Sequence, residues 1–135
     1  YVPYDQFIRV LQVSSAHVYL TYPFVLSWSM LEAMAAECLL VASNTAPVLD
    51  VIADGRNGLL VDFFSHEQIA ERIEQALDGG ERWRDLRRAA RETILRRFDL
   101  RGCLARQIRL LEDVAARRRP RDVDAPADPV SAAGR

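Results

Sequence analysis

Residues 17–43 read HVYLTYPFVLSWSMLEAMAAECLLVAS. The first six, 17–22, are rich in β-branched and aromatic side chains and stop at Pro23, which marks a strand. Leu39-Leu40-Val41-Ala42-Ser43 is a short continuous apolar run, as expected of a strand buried on both faces. Between them, Ser27 to Ala36 is rich in Leu, Met and Ala and reads as a buried helix. A strand, a helix and a second strand in so short a span imply a parallel pair joined by a crossover.

The same alternation continues on both sides. Gly58-Leu59-Leu60-Val61-Asp62-Phe63 is a third strand-like run. It is preceded by one or two helical turns over 48–53 and by Asp54-Gly55-Arg56-Asn57-Gly58, a turn whose two glycines can take positive φ. Ser65 with Gln68 forms a capping box for a helix whose apolar face is Ile69, Ile73, Ala76 and Leu77, ended by Gly79-Gly80. Trp83, Leu86, Ala90, Ile94 and Phe98 make a second helical stripe, and Leu100, Leu104, Ile108, Leu111 and Ala115 a third. At the other end, residues 4–11 form a helix with Phe7, Ile8 and Leu11 inward. The fold class is therefore α/β, a doubly wound parallel sheet. With only three strands it is truncated, and the chain reads as the second half of such a domain, with helices at its C-terminal end. Residues 1–119 form the folded part. From Pro120 the composition falls to Pro, Ala and Asp, and 120–135 read as a disordered tail.

Composition narrows the function classes. Of the 135 residues 50% are hydrophobic, enough for a core, yet no apolar run approaches the roughly 18–20 residues that span a bilayer. No charged and apolar leader pattern is visible. The chain starts at Tyr1 rather than Met, so an upstream extension of the natural protein is expected. Cys38 and Cys103 are too few for a disulfide framework and too far apart for a metal knuckle, and only His17 and His66 could assist them. A reducing cytoplasm is the expected location. The net charge of −1 conceals an asymmetry: residues 1–81 carry 3 basic and 11 acidic side chains, and residues 82–119 carry 13 and 5. All 18 cations are arginine. The basic stretch reads first as a solvated helical face. Its functional reading is peripheral contact with the inner face of an anionic membrane; no aromatic interleaving or motif points to nucleic acid. Trp28, Trp83 and the Met30/Met34 pair read as core, as do both cysteines.

In open parallel sheets, ligands bind outside the carboxyl ends of the strands. The loop Tyr22-Pro23-Phe24-Val25-Leu26-Ser27-Trp28-Ser29 leaves the first strand there and opens a helix, whose free N–H groups suit a phosphate. Ser27 and Ser29 add hydroxyls. Glu32 lies about one turn inside, within reach of a ribose diol. Ser29 and Glu32 are also spaced as a capping box, which needs no ligand.

The stretch from Tyr22 to Ala35 resembles the nucleotide-sugar site of GT-B glycosyltransferases, specifically the large family 4 (group 1) set. The following segments fit in order: Leu40-Val41-Ala42-Ser43, then 47–52, then Asp54-Gly55-Arg56-Asn57-Gly58-Leu59-Leu60-Val61, with Tyr1-Val2-Pro3 and its helix ahead of them. The resemblance covers residues 1–111. It implies that Glu32 contacts the nucleotide ribose and that the amides of Leu26, Ser27 and Trp28 reach sugar and phosphate. The family's other glutamate, which holds the transferred sugar's hydroxyls, would fall at position 24, which is Phe24. Its ring can stack on a sugar's C–H face but cannot accept hydrogen bonds. Glu37 stands where the family commonly has glycine. The catalytic residues are not identified in this stretch.

The activity implied by the resemblance is transfer of a sugar from a nucleotide-diphosphate donor to an acceptor. It would be hexosyltransferase-like, retaining and metal-independent, with no cofactor. The acceptor domain and the basic pair that neutralises the diphosphate lie upstream in the family, so the isolated 135-residue chain is expected to be inactive. The alternative, favoured by Phe24, is a non-catalytic half-domain serving as a nucleotide-binding or protein-interaction module.

Overall fold

A computed structural model describes residues 1–22 and 24–116. The elements run α1 (Tyr4–Val13), β1 (His17–Tyr19), α2 (Trp28–Ala35), β2 (Leu40–Ser43), α3 (Ala46–Leu49), β3 (Leu59–Val61), α4 (His66–Asp78), a 3-10 turn (Gly80–Trp83), α5 (Arg84–Arg97) and α6 (Leu100–Ala115). The three strands form one parallel sheet in the order β1-β2-β3, with Val18 opposite Val41 and Ala42 opposite Leu60. The fold is thus the expected Rossmann-like α/β arrangement. The tail expected over 120–135 lies outside the described residues.

Every residue of β2 is buried, and its side chains alternate between two cores. Leu40 and Ala42 meet Met30, Ala33 and Met34 of α2, Leu11 of α1 and Ala90 of α5. Leu39 and Val41 meet Leu59, Val61, Ala76 of α4, Trp83 and Leu86. The sheet is therefore covered on both faces, which a continuous apolar run requires. β1 is shorter than its sequence signal because the chain peels away after Tyr19. Thr21 is still held, but by a side chain: its N–H donates to Ser43 Oγ at 2.9 Å, and that hydroxyl donates to the Thr21 carbonyl at 2.9 Å.

Local chemistry sets the helix ends. Ser65 Oγ accepts from the Gln68 N–H at 3.2 Å, the expected cap. The Gln68 side chain does not return the bond to the cap; it accepts from the Asp62 N–H instead. α2 begins two residues earlier than a Ser29–Glu32 box would require. Ser27 is its N-cap, accepting from the Ser29 N–H at 3.3 Å, and Ser29 lies inside the helix. Glu37, just past α2, sits at φ 59°, the left-handed region that favours glycine. Arg91 holds it there, with Nε 3.5 Å from Glu37 Oε1 and a bond to the Ala35 carbonyl.

The turn before β3 uses its two glycines differently. Gly55 has φ +69°, whereas Gly58 is needed for space: a Cβ there would meet Ile52 Cγ2 at 2.8 Å. Buried Asn57 ties the turn together, accepting from the Ala53 N–H at 2.8 Å and donating to the Val51 carbonyl at 3.0 Å and Thr93 Oγ1 at 3.1 Å.

The arginines of α5 are not only a solvated face. Arg87 donates to the Ser15 carbonyl at 3.0 Å and Arg97 to the Asp50 carbonyl at 2.6 Å, binding α5 to the segments that precede β1 and end α3. α6 differs from the other helices. It buries no residue, and Leu100, Leu104, Ile108 and Leu111 are all exposed. Cys38 lies in the core as expected; Cys103 is only half-buried, beside Arg106 and the Arg97 carbonyl. Among the described residues no helix is long and apolar enough to cross a membrane.

Asn57→Ala would strand the Ala53 amide and the Val51 carbonyl, at a cost of about 2 kcal/mol. In thermal unfolding the expected result is a fall of about 10 °C in Tm; an unchanged Tm would remove Asn57 as the tie between this turn and α5.

Candidate functional site

α2 follows β1, and α1 delivers the chain to the start of β1, so both helices begin at the carboxyl end of the sheet. That end collects residue 22 and residues 24–28, the amino ends of α1 and α2, and the segment after β3. A recess of about 300 Å³, lined by Glu71, Glu74, Gln75, Asp78, Gly79 and Arg82, lies at the far end of α4, away from this region.

The loop that opens α2 is fixed from below. Tyr19, buried at the end of β1, uses its phenol oxygen to accept from the Ser27 N–H at 2.9 Å. Ser27 therefore keeps an extended backbone, φ −80° and ψ 145°, and acts as the cap. The hydroxyls of Ser27 and Ser29 lie 3.0 Å apart. Leu26 is half-buried against the first core, whereas Phe24 and Trp28 are 75% and 81% exposed. Trp28 is thus not a core residue, and helical geometry gives the reason. With Met30, Ala33 and Met34 facing inward, Trp28 and Glu32, four residues apart, share the opposite face.

Glu32 is half-buried on that face. It takes no part in capping. The Glu32 carboxylate acting as a hydrogen-bond acceptor, then desolvation and the carboxylate's charge, raise the Tyr4 pKa above the usual tyrosine value. Of the amides implied to reach sugar and phosphate, the Ser27 N–H is already bonded to Tyr19, while Trp28 N–H, the first of α2, finds no acceptor among the described residues.

Two further features were not apparent from the sequence pattern. Tyr22, Phe63 and Phe64 form an edge-to-face cluster, with centroids 6.0 Å (Tyr22–Phe63), 6.2 Å (Tyr22–Phe64) and 5.0 Å (Phe63–Phe64) apart. The signal available was that both segments follow strands at the same end of a parallel sheet. Buried Thr45 Oγ1, just beyond β2, has no hydrogen-bond partner among the described residues.

The family model described as Glycosyl transferases group 1 matches residues 1–93, more than half of the chain and all of this region. The chain belongs to the glycosyl transferases group 1 family. No curated protein matches it. Membership of this group 1 family makes the function of the glycosyltransferase type, and the match ends within α5, so α6 lies beyond it.

Tyr19→Phe removes the acceptor that pins Ser27. Hydrogen exchange at the Ser27 amide is expected to quicken, with a loss of about 1 kcal/mol in overall stability. Unchanged exchange at that amide would show that the loop is held by something else.

Proposed function

We propose that the chain is the donor-binding part of a GT-B glycosyltransferase of family 4, occupying the C-terminal side of that fold. It would move a hexose-like sugar from a nucleotide-diphosphate donor to an acceptor, with retention and without a metal. The observation that carries this is Glu32: a half-buried carboxylate at the carboxyl end of the sheet, one turn inside the helix and free of any capping duty.

In this reading Glu32 accepts both hydroxyls of the donor's ribose. A carboxylate has about four lone-pair positions, which is room for both hydroxyls. The amides of Leu26 and Trp28 and the hydroxyls of Ser27 and Ser29 face the diphosphate or sugar, at the positive end of α2. Phe24, exposed in the place of the family's other glutamate, stacks on the sugar's C–H face, which favours a donor bound by ring contact rather than by a carboxylate. The acceptor domain and the cations that neutralise the diphosphate would come from other elements of the enzyme. Among the described residues the outer edge of β1 carries no further strand and α6 buries no side chain, and such elements can pack on both.

Glu32→Gln preserves shape and weakens both acceptor oxygens. Calorimetric titration with UDP, GDP and ADP should show affinity reduced about 10-fold or more for whichever nucleotide binds, with Tm within a few degrees of the wild type. Unaltered affinity for every nucleotide that binds the wild type would remove Glu32 from the donor site.

A further inference from the structure

Three aromatic rings stand at the carboxyl end of the sheet, and packing does not account for them. Tyr22 follows β1, Phe63 and Phe64 follow β3, and β2 lies between those strands. The rings therefore meet across the end of the middle strand, edge to face, with centroids 5.0 to 6.2 Å apart. They do not fill a core. Tyr22 is 63% exposed and Phe64 71%, and only Phe63 is half-buried. Single exposed apolar side chains need no explanation, but contiguous ones at the ligand-binding end of a parallel sheet do.

The rings are also held in place. Ser43 Oγ bonds both backbone groups of Thr21, at 2.9 Å each, and the Thr21 hydroxyl donates to the Tyr22 carbonyl at 2.9 Å. On the other side, Asp62 Oδ1 accepts from the Phe64 N–H at 2.9 Å, and the Asp62 carbonyl accepts from the Ser65 N–H at 3.2 Å. Ser65 in turn caps α4. A patch whose backbone is fixed on both sides loses little freedom when a ligand settles on it.

The polar neighbours narrow the ligand. Exposed Asn44 follows β2, its N–H on the Val61 carbonyl at 2.7 Å, which puts an amide side chain at the same end of the sheet. Asp62 is exposed next to the rings in the chain, and Glu67 lies in the first turn of α4. Two carboxylates disfavour a phosphate or an anionic lipid headgroup here. A wholly apolar ligand would crowd Asn44 and Asp62 without giving them partners. A hexopyranose meets both conditions. It is neutral, its C–H face packs on an aromatic ring, and its hydroxyls donate to carboxylate or amide oxygens at the rim. The anionic donor is assigned above to the opening of α2, so this second place suits the neutral partner in the transfer.

We propose that Tyr22, Phe63 and Phe64 form a platform that seats the acceptor: a neutral hexopyranose stacked on the exposed rings, with Asn44 and Asp62 at its rim. The acceptor domain would supply the opposite wall. This rests on the transferase reading above but not on Glu32, and the test separates the two. Saturation-transfer NMR is run on the wild type, Tyr22→Ala, Phe64→Ala and Glu32→Gln with the methyl glycosides of glucose, mannose and galactose. UDP-glucose, GDP-mannose and ADP-glucose are titrated into the same four proteins, and each protein is melted. At least one glycoside should receive saturation at its ring C–H protons, with a Kd on the order of 1–10 mM. Tyr22→Ala and Phe64→Ala should each weaken it about 5-fold or more, with nucleotide-sugar affinity unchanged and Tm within about 3 °C of the wild type. Glu32→Gln should leave the glycoside bound. No saturation of any glycoside, or wild-type binding by both ring variants, would overturn the platform. A loss of nucleotide-sugar affinity in the ring variants would also overturn it, because the rings would then serve the donor. Unaltered nucleotide-sugar affinity in Glu32→Gln, with the glycoside behaving as expected, would remove Glu32 from the donor site and leave the platform standing.

Discussion

Burial of β2 on both faces is the constraint on which the rest of the chain depends. Leu39 to Ser43 offer no exposed position, so a strand must lie on each side and helices must cover both faces. Parallel neighbours cannot be joined by a tight turn, and each connection must cross back over a face. α2 does this between β1 and β2, and α3 with the turn after it does so between β2 and β3; α2, and α4 after β3, therefore start at the carboxyl end of the sheet. The one polar side chain of β2, Ser43, is tolerated because its hydroxyl serves both backbone groups of Thr21. It thereby sets the direction in which the loop to α2 departs. Tyr19, buried at the last position of β1, fixes the far side of that loop at Ser27. The location of Glu32 follows from these two polar contacts and from the phase of α2.

The local part of this was legible in the sequence. The three apolar runs, the cap at Ser65, the stripe from Trp83 to Phe98 and the turn at Asn57 all depend on residues near one another in the chain. What escaped was non-local. Ser27 and Ser29 are equally good caps by spacing, and the choice was made by Tyr19, eight residues earlier. Trp28 was expected in the core from its size, although the positions of Met30, Ala33 and Met34 already place it on the outer face. Gly58 looked like a residue chosen for positive φ, but the reason for it is the approach of Ile52. Phe24 remains as informative as it was: an exposed aromatic ring where the family's pattern calls for a carboxylate.

The arginine-rich stretch shows how composition can mislead. Its excess charge invites a reading in terms of an external anion, yet Arg87, Arg91 and Arg97 point back at carbonyls of Ser15, Ala35 and Asp50. Ala35 ends α2 and Asp50 caps α3, where unpaired carbonyls and the negative end of the helix dipole favour a cation. These side chains fasten α5 to three separate segments that the sheet alone would leave loosely joined. Arg91 also steadies Glu37 in its left-handed conformation. The charge left for external partners is smaller than the sequence count suggests, and it lies towards α6, whose apolar face is uncovered.

The central claim is that a nucleotide sugar binds at the carboxyl end of this sheet, over the opening of α2. Amide hydrogen exchange, followed with and without UDP-glucose, GDP-mannose and ADP-glucose, tests it most directly. Added protection should appear at residues 24–32 and in the first turn of α1 for at least one donor, with residues 74–82 and 100–115 unchanged. Protection confined to those latter segments, or none with any of the three donors, would contradict it.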